Sequence, residues 1–298
     1  MKVKPIHARF GGEIVGLDTA APVTIETIKA VEDAMAKYAV CVVRDASLND
    51  EDQIRFSLAF GTIEMPPQAE ASRRPGVAPQ LFDVTNLDAD GNIAPVRMDP
   101  KTQQVLDGFH TDSPFNSLPT KWSLLLGHIV PPEGANTNYI DMRAVYEDLP
   151  QEKKDEIEDL YVRHDLIDAF AHRGIKFGNE EFRKAYPSTV HPLVRVSASG
   201  RKALYMGWHA VGVVSWGEPE SHKLLDELYT FATQDKYMYS HKWRVGDLVI
   251  WDNRCTMHAA TPYERMRYKR DCRRVTINEN GAVGSAKETG LSRKRWQS

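Results

Sequence analysis

Apolar side chains recur at helical spacing at Ile25, Ile28, Val31, Met35 and Tyr38, and Thr24 stands where an N-cap belongs. The pattern predicts a helix over 25–38. The apolar run Ala39–Val43 then reads as a buried strand. A second amphipathic stretch, Asp50–Phe60, ends at Gly61, and a third covers Glu218–Ala232. Beyond residue 110 the pattern shortens to strand-sized runs: KWSLLLGHIV, NTNYIDM, HPLVRV, KALYMG, YMYSHKW and GDLVIWDN. RVGD ahead of LVIW predicts a hairpin with Gly246 at its turn. No strand leads into a glycine-rich helix start, which argues against a parallel nucleotide-binding sheet. Several short strands in a long chain predict a mainly β domain, a sandwich or jelly roll with flanking helices.

Thr62–Phe109 breaks this rhythm. It carries 6 of the 17 prolines and little periodicity, so the chain reads as one domain over 1–298 with a lid-like insertion around 62–109. Arg73, Arg74, Arg97 and Lys101 fall there and read mostly as solvated surface. Composition narrows the class of protein. With 38 bases against 41 acids the net charge is -3, so no global field recruits nucleic acid or membrane. Three scattered cysteines, Cys41, Cys255 and Cys272, suggest a reducing compartment. The first residues, MKVKPIHARFGG, lack an apolar signal core, and no later run suits a membrane span. A cytoplasmic protein is expected.

Most of the ten histidines have no special context. His110 and Asp112, in GFHTDSPF, differ. On a strand, residues two apart share a face, so an imidazole and a carboxylate would converge on one point. One more ligand would complete a 2-His-1-carboxylate facial triad, which leaves further metal positions open. His258, in GDLVIWDNRCTMHAA, is the candidate. It lies 146 residues beyond Asp112, so only folding could join them; closing a jelly roll makes early and late strands neighbours.

These stretches carry a resemblance. FGGEIVGLD, DQIRFSLAFGTIE, HTDSPF, PPEGANTNYIDMRAVYEDLP and VGDLVIWDNRCTMHAA with RYKRDCRRVT resemble the taurine dioxygenase / 2,4-dichlorophenoxyacetate dioxygenase family of Fe(II)- and 2-oxoglutarate-dependent oxygenases, over nearly the whole chain. ANTNYIDMRAVY and the last two stretches are most similar to the phenoxyacetate branch. The resemblance implies a double-stranded β-helix (jelly roll, cupin-like) core. It implies His110, Asp112 and His258 as ligands of Fe(II), with 2-oxoglutarate and O2 as cosubstrates. Thr137, 27 residues after His110, and Arg270 would contact 2-oxoglutarate. A dicarboxylate held at one end by metal needs a cation at the other, and guanidinium offers a bidentate fit. Arg274, four residues on, would share a strand face with Arg270 and meet an anionic group of the prime substrate. The rest of this run, Arg265, Arg267 and Lys269, reads as solvated. His209, in MGWHAV, is a candidate substrate contact, and Trp251, Asp252 and Asn253 a support for His258.

The implied chemistry is hydroxylation of a small anionic molecule, an aryloxyalkanoate before others, with ether cleavage to a phenol and glyoxylate. Taurine or another alkylsulfonate is the alternative. Taurine-specific relatives bind sulfonate through a lid histidine, and none lies between Thr62 and Phe109. Two readings from other classes stay open: a jelly roll holding zinc or nickel without oxygenase activity, and nucleic-acid binding through Tyr263–Arg274 and the RKR near the C-terminus. A homo-oligomer is expected, without nucleic acid or membrane partners.

Overall fold

A computed structural model describes residues 1–46, 48–65, 74–95 and 100–278. In chain order the strands begin β1 (Lys2–Pro5), β2 (Gly12–Val15), β3 (Val40–Val43), β4 (Phe82–Thr85) and β5 (Thr120–Ile129). They continue with β6 (Thr137–Asp141), β7 (Tyr161–His164), β8 (Thr189–Pro192), β9 (Val194–Val196) and β10 (Lys202–Leu204). The last five are β11 (Ala210–Val213), β12 (Met238–His241), β13 (Leu248–Asp252), β14 (Thr256–Ala260) and β15 (Asp271–Asn278). Helices α1 (Ile25–Tyr38), α2 (Asp50–Leu58), α3 (Pro100–Leu106) and α4 (Met142–Asp148) are followed by α5 (Gln151–Ile157), α6 (Leu166–Ala171), α7 (Glu180–Ala185) and α8 (Glu218–Ala232). The architecture is mixed helix and strand rather than mainly β. None of the helices among the described residues is long and apolar enough to cross a membrane.

A seven-stranded sheet, β1-β2-β3-β13-β5-β15-β4, faces a three-stranded one, β12-β6-β14. Pairing is antiparallel except for β2 with β3. Alternation along the central strands divides the core. Cys41, Val43, Leu124, Leu126, Leu248, Ile250, Val275 and Ile277 pack outward under α1 and α2 with Val31, Met35 and Phe56. Val40, Val42, Leu125, Val249, Trp251 and Cys272 point inward with Tyr139 of the smaller sheet. Both faces of β3 are buried, which is why its sequence shows no polar alternation. Successive strands change sheet: β5 to β6, then β12 to β13 to β14 to β15. Residues far apart in sequence therefore meet between the two layers.

The helix expected over 25–38 is present, with the Thr24 hydroxyl accepting the Thr27 N–H. Ala39 is not the start of the strand. It closes α1 in a left-handed conformation at φ 59°. The second helix stops at Leu58, short of the expected Phe60. The RVGD turn exists, with Gly246 at φ 82°, but it is not a hairpin: β12 and β13 belong to different sheets. Turn chemistry specifies the reversal and says nothing of which neighbour each strand then finds. The expected insertion at 62–109 is partly sheet, since β4 pairs with β15. Arg74 there is no surface charge; its guanidinium joins Asp83 and Asp271. Arg73, Arg97 and the RKR near the C-terminus lie outside the described residues. Cys41, Cys255 and Cys272 are buried free thiols.

Candidate active site

Between the two sheets lies a cavity of about 500 Å³, lined by His110, Asp112, Thr137, His258, Arg265, Arg270 and Arg274 among others. His258 comes from β14. His110 sits beside it in an isolated antiparallel bridge, each backbone N–H donating to the other's carbonyl at 3.0 and 2.8 Å. Asp112 is not on a strand, so the shared-face argument from its sequence spacing does not apply. The two side chains converge because the segment beyond the bridge is fixed by other contacts. One donor atom from each of His110, Asp112 and His258 lies within 4.8 Å of the others.

Asp112 is clamped on several sides. The Ser123 hydroxyl donates to its Oδ2 at 2.7 Å, and its backbone N–H donates to Asn253 Oδ1 at 3.1 Å. Asn253 in turn donates to Ser123 Oγ at 3.0 Å and accepts from the Trp251 indole at 3.0 Å. Arg274 Nη1 donates to Asp112 Oδ1. Asn253 thus supports Asp112, while Trp251 packs 4.7 Å from the His258 ring. Ser123 carries no recognisable signal in its strand sequence, and sequence reasoning missed it.

The charges suit a metal. Burial alone would raise the Asp112 pKa, but Arg274, then His258 and His110, hold it down at about 2. Burial lowers His258 to about 3, assisted by His110 and Arg274, and burial also lowers His110. At neutral pH the set is therefore one carboxylate and two neutral imidazoles, the protonation state that ligation requires. His110 Nδ1 donates to the Gly108 carbonyl at 2.8 Å, which leaves its Nε2 lone pair free. The buried His258 Nδ1 has no hydrogen-bond partner among the described residues. This donor set fits a divalent cation.

Thr137, on β6, lines the same cavity and its hydroxyl accepts the Trp243 indole N–H at 3.0 Å. Arg270 immediately precedes β15, and Arg274 lies on it, on the inward parity shared with Cys272. Arg270 is 9% exposed and forms no salt bridge among the described residues. Arg274 stands over the Phe82 ring at 4.9 Å. Arg265, expected in solvent, also lines the cavity and donates to Gln103 Oε1 at 3.0 Å. Arg267 and Lys269 are exposed as expected.

His209 is not in the cavity wall. It is buried behind the iron-ligand segment expected at 110–112, its Nε2 accepting the Thr111 backbone N–H at 3.3 Å. Its other nitrogen is then the donor to His164 Nδ1, at 2.9 Å. A histidine next to a glycine and a tryptophan looks alike in sequence whether it faces a ligand or backs one.

Sheets, cavity and donor set together describe a metal-dependent oxygenase scaffold. The chain matches the family described as "Taurine catabolism dioxygenase TauD, TfdA family" over residues 2–276, and it belongs to that family. It is an oxidoreductase of the 2-oxoglutarate-dependent dioxygenase kind. It is similar to an alpha-ketoglutarate-dependent 2,4-dichlorophenoxyacetate dioxygenase of Burkholderia sp. (strain RASC), 34% identical over 91% of this chain and 92% of that one. It is 30% identical to a (S)-phenoxypropionate/alpha-ketoglutarate-dioxygenase of Sphingobium herbicidovorans, over 97% and 98% of the two chains. Among solved structures, AAD-2 in complex with Mn(II) and N-oxalylglycine superimposes with a TM-score of 0.83. It is 35% identical, and the match covers 95% of this chain and 100% of that one.

Proposed function

We propose that the protein is an Fe(II)- and 2-oxoglutarate-dependent dioxygenase that hydroxylates an aryloxyalkanoate beside its ether oxygen. The observation that carries this reading is Arg270: a buried guanidinium without a carboxylate partner among the described residues, in one cavity with the three candidate ligands. A buried cation of that kind calls for an anion. 2-Oxoglutarate supplies one, and N-oxalylglycine, found with AAD-2, is its amide isostere. The alternation of β5, β6 and β12 to β15 between the two sheets supports a jelly roll as the scaffold.

Bound Fe(II) supplies the redox chemistry that couples oxidative decarboxylation of 2-oxoglutarate, to succinate and CO2, with oxygen transfer from O2. His110, Asp112 and His258 would hold it. Arg270 takes the far carboxylate of 2-oxoglutarate in a two-point fork, with Thr137 beside it. Arg274 takes the carboxylate of the prime substrate, and Phe82, Leu106 and Leu125 give its aromatic part an apolar wall. Phe82, Gln103 and Leu106, from the described part of the expected lid, form the outer wall that keeps water from the reacting carbon. Hydroxylation of an aryloxyacetate at that carbon gives a hemiacetal, which collapses to a phenol and glyoxylate.

The test is a panel of phenoxyalkanoates and taurine scored by succinate release, with an aryloxyacetate run against its methyl amide. The acid is expected to be turned over and the amide not, and Arg274→Ala should abolish the difference. Equal turnover of acid and amide by the wild type would remove both the carboxylate anchor and the substrate class.

A further inference from the structure

A concavity larger than the one between the sheets, about 1000 Å³, lies elsewhere among the described residues. It is lined by Arg163, Ser188, residues 211–216, His172, Glu218 and His222, none of which lines the cavity between the sheets. Three of these residues converge. His172 follows the last residue of α6, while Glu218 and His222 lie one turn apart at the start of α8 and so share a face. One donor atom from each lies within 4.8 Å of the others. The two imidazole rings are 3.8 Å apart at their centroids, inclined by 45°. His172 and Glu218 are exposed and His222 is half-buried, and none of the three side chains makes a hydrogen bond or an ion pair among the described residues.

We propose that His172, Glu218 and His222 form a second metal site, for a divalent cation of the zinc type. Two imidazole nitrogens and one carboxylate oxygen are a donor set that zinc takes tetrahedrally, with the fourth position open to water from the cavity. Packing fixes the helix ends that carry the donors before any metal arrives. Leu224 and Leu225 of α8 and Val213 of β11 are buried in one cluster, and the Val213 N–H donates to Ser221 Oγ at 3.0 Å. Ala169 and Phe170 of α6 pack with Val211 of the same strand. A metal here ties the end of α6 to the start of α8. The donor set lacks the buried, carboxylate-clamping surroundings of the inner triad, so affinity follows the general order in which Cu2+ and Zn2+ far exceed Fe2+ and Mn2+.

The inference is independent of the prime substrate. It is tested by titrating the metal-free full-length protein with Zn2+ against a chromophoric chelator. Wild type should bind two equivalents, one in each site. His222→Ala and, separately, Glu218→Gln should bind one, and both should keep wild-type succinate formation once supplied with Fe(II). Asp112→Ala should bind one equivalent, and Asp112→Ala combined with His222→Ala none. Thermal unfolding in EDTA, expected to be the same for the wild type and the two outer-site variants, separates lost metal from lost fold. A single equivalent in wild type, or two still bound by both outer-site variants, would overturn the proposal.

Discussion

Replacing Arg270 by alanine isolates the interaction proposed to hold the cosubstrate. The side chain is almost fully buried and has no carboxylate partner among the described residues, so its removal breaks no ion pair among them. Its backbone N–H still donates to Asn86 Oδ1 at 2.8 Å, and the main chain entering β15 should hold. What changes is the environment of the carboxylate that the guanidinium would meet. Truncating one partner of a buried, hydrogen-bonded charge pair costs ~2–5 kcal/mol. At about 1.4 kcal/mol per tenfold, that is roughly a 30- to 4000-fold loss in apparent affinity. The lower half of the range is expected here, because a cavity of about 500 Å³ admits water to the orphaned anion. The assay is succinate formation against 2-oxoglutarate concentration at saturating prime substrate, with Arg270→Lys as an intermediate case that restores charge without the fork. The KM for 2-oxoglutarate should rise steeply while that for the prime substrate changes little. The opposite split would mean that Arg270 and Arg274 hold each other's ligand, and no change in either would refute the anion-site argument altogether.

His209→Phe should leave the prime-substrate KM near wild type and weaken metal retention, measured by iron content after dialysis, because His209 holds the Thr111 backbone and does not line the cavity; a prime-substrate KM effect alone would restore the substrate role read from sequence. His191 gives a pH prediction. Burial, then Arg195, lowers its pKa to about 4, whereas an unfolded histidine titrates near 6.5, so unfolding takes up a proton between those values. Its contribution, about 3 kcal/mol from the 1.36 kcal/mol per pKa unit, is present above pH 6.5 and is lost as pH falls toward 4. Urea midpoints from pH 7 to 4.5 should fall less steeply in His191→Gln, and parallel slopes would exclude His191 as a source of the acid sensitivity.

How far the sequence could be read depended on whether a feature was local. The first and last long helices were legible to the residue, because a 3.6-residue period, joined in the first by an N-capping threonine, acts within one turn. The three candidate ligands were legible because the H-x-D pair and the distal histidine sit in family stretches of distinctive composition. A shared strand face, which the spacing predicts, is nevertheless not what brings the pair together. Asp112 is placed by Ser123 and Asn253, 11 and 141 residues away, and no local pattern announces such partners. Arg265 and Arg267 show the same limit from the other side. They are two residues apart in one basic run, and only the fold decides that one enters the cavity while the other stays exposed and pairs with Glu264.

The substrate end of the site is the least legible part, and its construction gives the reason. The ends of the cavity proposed for metal and cosubstrate are backed by β6, β14 and β15, whose inward residues pack into the core with Trp251, Tyr139 and Cys272, so a change there costs core packing. The outer wall is set by Phe82 on the edge strand β4, and by Gln103 and Leu106 on α3, a helix that has no buried residue. Side chains on such elements can be exchanged with little loss of stability, since surface substitutions away from packed contacts stay near ±0.5 kcal/mol. A scaffold built this way keeps one oxidation mechanism while its outer wall is free to suit different acids. That division explains why the reaction class follows from residues scattered over the whole chain, while the proposed choice of substrate falls to Phe82, Gln103 and Leu106 and to Arg274 beside them.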